Sequence, residues 1–161
     1  MIDFNDWRAK VQIPPQFKDA YKRLMTAALG IMFSAKTHNL MVKTIQAPGG
    51  LAKNVGEGAA GLVLLVYKEA KNAPGELMIP AGLEIVLQTF EYIDKTKMVQ
   101  YQDEDVGQAI QVMIETILKA SGANMDAYEQ ATGGAGPAPA GAGQTEGNIP
   151  QTTGQLPAGG A

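Results

Sequence analysis

The chain has 161 residues, of which 45% are hydrophobic and 18% are charged, and its formal net charge is −3. This length corresponds to one domain with a modest hydrophobic core. The sequence contains no cysteine and one histidine, His38, which excludes disulfide scaffolds, thiol nucleophiles, cysteine-based zinc or iron–sulfur sites and multi-histidine metal sites, so no cofactor is expected.

The first 15 residues are predicted to form an N-terminal arm. Phe4, Trp7 and Val11 recur at helical spacing, which favours a short amphipathic helix. The proline pair at 14–15 then stiffens the chain and can open the next helix, because proline is tolerated in a first helical turn.

Residues 16–46 carry the most sustained apolar pattern of the chain. Their side chains alternate in steps of four and three, apolar except at His38, and a second apolar set that includes Met32 and Leu40 widens the stripe. This spacing predicts one continuous helix that ends at the breaker sequence 47–50 and lies centrally in a bundle or between subunits. The predicted oligomer interface consists of Phe17, Tyr21, Leu24, Ala28, Ile31, Ala35, His38, Val42 and Ile45.

Three further helices are predicted. Residues 58–72 place apolar side chains on one face, although the central run 62–67 is also compatible with a buried strand. Residues 81–94 form an amphipathic third helix. The acids at 103–105 suit the positive end of a fourth helix, which the Ser-Gly pair at 121–122 ends.

The remaining segments are predicted to be connectors and a tail. Residues 76–79 are expected to be extended because they precede a proline, and 98–102 have some strand character. A last short helix is predicted over 124–131. Residues 132–161 contain nine Gly, four Pro and six Ala with a single charge, too few apolar side chains to fold alone.

The predicted fold class is all-α: a helical bundle of about four main helices with a disordered Gly/Pro/Ala-rich C-terminal tail. The domain organisation that follows is an N-terminal arm at 1–15, a helical bundle domain at 16–131 and a flexible low-complexity tail at 132–161.

Polar features that resemble catalytic or binding sites each have a simpler structural explanation. His38 is either a partly buried, hydrogen-bonded side chain or a polar layer that sets the register between copies. The acids at 103–105 lack the ligand pattern of a calcium loop, and the glycines at 49–58 lack the Gly-Lys-Ser/Thr ending of a phosphate loop. Glu84 and Glu91 are about 10 Å apart by helix rise and are expected on a solvated face. We therefore predict no enzymatic activity and no small-molecule substrate.

Charge is distributed unevenly. Residues 1–53 carry eight Lys/Arg and three acids (+5), residues 54–131 carry five Lys/Arg and twelve acids (−7), and Glu146 adds −1, which gives −3. We expect the two parts to attract each other within one fold. The alternatives are a head-to-tail contact between copies, or a basic face that meets nucleic acid or an anionic membrane.

The segment 61–91 resembles small virion-associated proteins of short-tailed bacteriophages. The likeness lies in a Gly/Ala-rich helix from Gly61-Leu62 to Lys71, the link Pro74-Gly75-Glu76-Leu77-Met78-Ile79-Pro80-Ala81, and an amphipathic helix that ends near Glu91. It extends over about residues 55–131, and the Gly/Pro/Ala-rich tail is also similar. The resemblance implies a non-enzymatic structural protein of the virion, internal or ejected with the genome, and it transfers no catalytic residue.

The leading expectation is thus a bacteriophage virion structural protein that self-associates through its long apolar helix. It would be made in the host cytoplasm, because the N-terminus lacks the pattern of a signal peptide and no apolar run is long enough to span a membrane. Expected partners are further copies, other virion proteins and, during ejection, DNA or a membrane through non-specific contact. The alternative is a cytosolic helical adaptor or chaperone-like binding module that uses its Met-rich helices as a groove.

Overall fold

A computed structural model describes residues 3–70 and 73–122 of the chain. These residues form six α-helices and contain no strand, so the prediction of an all-α helical bundle is confirmed. The predicted helix at 124–131 and the predicted tail at 132–161 lie outside the described residues. The helices are α1 (Phe4–Ala9), α2 (Lys18–Met32), α3 (His38–Gln46), α4 (Leu51–Glu69), α5 (Met78–Thr96) and α6 (Asp103–Ser121).

The core lies among α4, α5 and α6. The most extensive packing joins α4 to α6, and α5 packs against both. Phe90, Leu87 and Ile93 of α5 are fully buried with Ile110 and Met113 of α6. Each fully buried side chain of this size contributes about 1.5–3 kcal/mol, so these three helices supply most of the apolar stabilisation.

The prediction of one continuous helix over 16–46 is wrong. The chain makes a short 3₁₀ turn at Pro15–Phe17, continues as α2, breaks over Phe33–Thr37 and resumes as α3. The break contains neither glycine nor proline. Within it the Thr37 hydroxyl donates to the carbonyl of Ile31, a local bond that competes with helical hydrogen bonding. The helices on its two sides also differ in packing, since α2 contacts α4 and α5 whereas α3 packs on α4.

The second predicted helix begins earlier than expected, at Leu51 instead of residue 58. Gly49 and Gly50 make the turn before it with φ values of +122° and +97°, a region in which glycine is favoured. The glycine at 56 lies inside the helix because α6 approaches there: an added Cβ would be 2.5 Å from the carbonyl oxygen of Ala109.

The remaining helix boundaries are within a few residues of expectation, but neither of the two predicted extended segments has the expected conformation. Residues 75–77 form a 3₁₀ turn rather than an extended link, and α5 begins at Met78 with Pro80 inside its first turn. The connector at 98–102 forms no strand, so its predicted strand character is wrong. Helix α6 begins and ends as predicted, and the backbone N–H of Gln102 donates to the Asp105 carboxylate at 2.8 Å.

Helix α1 lies outside this core, against α5. None of its residues is fully buried, although Phe4 and Trp7 pack on the core with part of their surface. Among the helices of the described ranges, none combines the length and the apolar character that crossing a membrane requires.

Candidate functional site

An apolar groove of about 270 Å³ lies between α3 and α4. The end of α2 closes one side, and Ile85 and Thr89 of α5 form part of its lining. None of the lining residues is charged, and they include two methionines, whose side chains adapt to different partners. The lining consists of Ile31, Met32, Thr37, Leu40, Met41, Thr44, Ile45, Asn54, Val55, Gly58, Ala59, Gly61, Leu62, Leu65, Ile85 and Thr89.

Two glycines of α4 keep this groove open. A Cβ at Gly61 would meet no atom within 4 Å, and one at Gly58 would meet only Cγ2 of Thr44, at 3.9 Å. Gly61 is exposed and makes no close contact with another helix. Gly56, one turn and a half earlier, does have the close contact.

Two large apolar side chains lie at the groove and are exposed to solvent. Leu40 of α3 is 64% exposed and Leu65 of α4 is 47% exposed. We call the groove together with Leu40 and Leu65 the groove face. Exposed apolar surface of this kind, next to an uncharged depression, is typical of a surface that binds another protein.

The predicted interface stripe is divided between the interior and the surface. Leu24, Ala28 and Ile45 are buried within the chain, and Ala35 in the break is exposed. The other members are half-buried, namely Phe17, Tyr21, Ile31, His38 and Val42. Of the nine residues, Ile31 and Ile45 line the groove. Much of the stripe therefore packs within one chain, and its exposed member, Ala35, lies in the break before α3.

His38 has a hydrogen-bonding partner on a neighbouring helix. Its Nε2 lies 3.1 Å from the hydroxyl of Tyr92 in α5, and the two rings meet edge to face at 5.3 Å between centroids. Phe33 also packs against Tyr92, at 6.3 Å between ring centroids. The first of the two interpretations of His38, a hydrogen-bonded and partly buried side chain, is thus the one that the fold contains.

Arg8 of α1 binds two carboxylates of α5. Its Nε lies 3.0 Å from Glu84, its Nη1 lies 2.5 Å from Glu91, and Gln88 donates to Glu84 at 2.8 Å. The expectation that both glutamates lie on a solvated face is wrong, because the arginine covers them. The hydrogen bond to Glu84 is the main cause of a raised pKa of Arg8, against a smaller opposing effect of burial.

These contacts also join the basic and the acidic parts of the chain. Other ion pairs of the described residues connect positions three or four apart, such as Lys53 with Glu57. Burial, and secondly the charge of Glu84, raise the pKa of Tyr21 to about 12. With both carboxylates bound to Arg8, the cluster holds α1 on α5 and offers no free acid–base pair.

No group of three or more metal-ligating side chains occurs within residues 3–70 and 73–122. Comparison with known proteins gives no match to a protein-family model, to a curated protein or to a solved structure. The groove face is therefore the feature of the described fold from which a function is best argued.

Proposed function

We propose that this chain is a non-enzymatic structural protein that self-associates through the groove face. The observation that carries this proposal is the exposure of Leu40 and Leu65 beside an uncharged groove. Covering the two leucines and the depression removes apolar surface from water, which favours association by about 25 cal/mol per Å².

The location of the surface differs from the one that the stripe predicts. Leu24, Ala28 and Ile45 already serve the chain's own core, so they are not available to a partner. Leu40 belongs to the second apolar set of the same sequence region, and Leu65 comes from α4. Self-association thus remains the proposal, with its contact surface moved from the stripe to the groove face.

The virion is the proposed setting of this self-association. The resemblance of residues 61–91 to small virion-associated proteins of short-tailed bacteriophages supports it. The two helical parts of that segment correspond to the end of α4 and most of α5. In this proposal the protein contacts other virion proteins as well as further copies. A more specific version of this proposal is that the protein is ejected with the genome. The exposed basic side chains Lys18, Lys22 and Arg23 of α2 support it, because they can contact phosphates non-specifically.

Sedimentation velocity tests the self-association. Over about 1 µM to about 500 µM protein, the mass of the wild type should rise above the 17.0 kDa of the monomer. The Leu40→Lys/Leu65→Lys variant should remain monomeric, because two charges then face an apolar contact. Gln108→Lys/Gln111→Lys adds the same charge at exposed positions of α6 and should associate like the wild type.

Two outcomes contradict the proposal. One is a wild type that stays monomeric over the whole range, and the other is equal association of the groove variant and the wild type. A monomer that instead binds one stoichiometric non-virion protein through the groove face would favour the adaptor function. Mass spectrometry of purified particles tests the virion setting separately.

A further inference from the structure

We propose that two copies of this chain pack α4 against α4 in antiparallel orientation around a two-fold axis at Gly61. In this dimer Leu65 of each copy enters the groove of the other beside Gly58, and both chains keep the fold of the monomer. The proposal rests on the self-association through the groove face and names the geometry of that contact.

The outer face of α4 is centred on Gly61. Glu57, Leu65 and Lys68 lie within about 40° of this glycine around the helix axis, by the periodicity of an α-helix. All four residues are exposed, and so is Gly58. Within the described residues, a Cβ at Gly61 would meet no atom closer than 4 Å, so the helix of a second copy can approach closely at this point.

The apolar part of this face is complementary to itself. Leu65 follows Gly61 by four positions, Gly58 precedes it by three, and both line the groove on the side of α3. An antiparallel two-fold therefore brings Leu65 of one copy to within about 1.5 Å of the level of Gly58 in the other. The glycine leaves space there for the leucine, and the same contact is made twice, as in an isologous interface.

The charges on the other side of α4 match in the same arrangement. Glu57 precedes Gly61 by four positions and Lys68 follows it by seven, both on the side away from α3. The antiparallel pair brings Glu57 of one copy to within about 4.5 Å, along the helix axis, of the level of Lys68 in the other. A parallel pair would instead bring Glu57 to Glu57 and Lys68 to Lys68. Charge complementarity thus favours the antiparallel second copy as the occupant.

The same arrangement covers Leu40. Helices α3 and α4 are antiparallel within the chain, because Thr44 lies opposite Gly58, whereas the carbonyl of Ala47 accepts a hydrogen bond from the Asn54 amide at 2.7 Å. Leu40, one turn before Thr44, therefore lies close to the level of the two-fold axis. The Leu40 side chains of the two copies then meet near the axis, so the dimer buries both leucines of the groove face.

Cysteine cross-linking distinguishes the antiparallel pair from other arrangements, and the sequence has no natural cysteine that would interfere. G61C lies at the axis, so oxidation of the associated protein should give a covalent homodimer. L65C alone should not, because its two copies are about 12 Å apart along the helix axes, beyond the reach of a disulfide. L65C mixed with a differently tagged G58C should give a heterodimer. Q111C, exposed on α6, measures random cross-linking.

A charge exchange tests the pairing of Glu57 with Lys68. E57K and K68E each bring like charges together at two places, so the dimer Kd of either variant alone should rise at least about tenfold. An equimolar mixture should associate nearly as tightly as the wild type, because opposite charges meet again in the mixed dimer. E76K and K119E make the same charge changes at exposed positions outside α4 and should leave the Kd nearly unchanged, alone or mixed.

The outcomes separate this geometry from the underlying self-association. Cross-linking of G61C and of the L65C/G58C mixture above the control level, together with recovery in the charge mixture, supports the antiparallel pair. If the wild type associates but L65C alone cross-links as readily as G61C, or the charge mixture associates no better than the single variants, this geometry is overturned while the proposed function stands. If the wild type does not associate, both are overturned.

Discussion

Replacing Gly56 by alanine tests whether the contact between α4 and α6 is as close as the fold indicates. A Cβ at this position would lie 2.5 Å from the carbonyl oxygen of Ala109 and 2.8 Å from Cβ of Val112. Both atoms are fixed to the α6 backbone and have no rotamer that turns them away. Since carbon atoms in ordinary contact are about 3.5–4 Å apart, the two helices must separate by roughly 1 Å.

The expected loss of stability is the difference between two effects. Overpacking in a core costs about 1–3 kcal/mol, and the value here should be near the upper end because α4 and α6 form the most extensive helix contact. Alanine regains about 1 kcal/mol of helix propensity over glycine. The net loss is therefore about 2 kcal/mol, or a fall of roughly 6 °C in Tm for a domain of this size.

Gly61→Ala is the matched control, because it makes the same substitution in the same helix. Its Cβ would meet no atom within 4 Å, so there is no overpacking. The higher helix propensity of alanine should then raise the free energy of unfolding by about 0.5–1 kcal/mol. Urea unfolding followed by far-UV circular dichroism measures both variants at one low protein concentration, since association would otherwise shift the midpoint. A Gly56→Ala protein as stable as the wild type would refute the close approach of α4 and α6.

Three other predictions concern the arm, a tyrosine and the core. A double-mutant cycle of Arg8→Met and Glu84→Gln should give a coupling energy of about 1 kcal/mol at low salt that falls as salt screens the pair; no coupling would mean that the arginine does not hold α1. Because the pKa of Tyr21 is raised to about 12 from 10.0, the stability that its neutral form contributes should be complete below pH 10 and be lost as the pH rises towards 12. Tyr21→Phe should lose less stability over that interval, and identical alkaline unfolding profiles would contradict the burial of the phenol. Phe90→Ala removes a fully buried ring and should cost about 3–5 kcal/mol in urea unfolding; a loss below about 1 kcal/mol would place Phe90 outside the core.

The helices whose ends are set by local chemistry were predictable from the sequence. Helix α6 begins at its three acids and ends at Gly122, which adopts a φ of +75°. Both signals lie within the few residues around the helix end, so no knowledge of the rest of the fold is needed. The same is true of the proline pair that precedes α2.

The break between α2 and α3 was not predictable in this way. No glycine or proline marks the break within residues 33–37, and it separates a helix that packs on α4 and α5 from one that packs on α4. The start of α4 was missed for a related reason. Its glycine at 56 weakens the local helix signal, yet it is there because of Ala109, which lies 53 positions later in the chain.

The groove face was only partly visible in the sequence. Leu40 belonged to the widened apolar pattern, and the Met-rich character of the helices pointed to an adaptable surface. The exposure of Leu65 could not be predicted from the sequence, because it depends on which face of α4 is covered by α3, α5 and α6. Arg8 and its two glutamates are 76 and 83 positions apart, so no local pattern relates them.

The position of Trp7 determines what an optical experiment on this protein would measure. It is the sole tryptophan of the chain, it lies on the partly buried face of α1, and the ammonium of Lys10 is 4.8 Å from its ring centroid. Tryptophan emission therefore reports the detachment of one short helix, whereas circular dichroism reports the bundle. Curves from the two probes need not coincide, and a difference between them would describe a local opening at the N-terminus instead of an intermediate in the unfolding of the core.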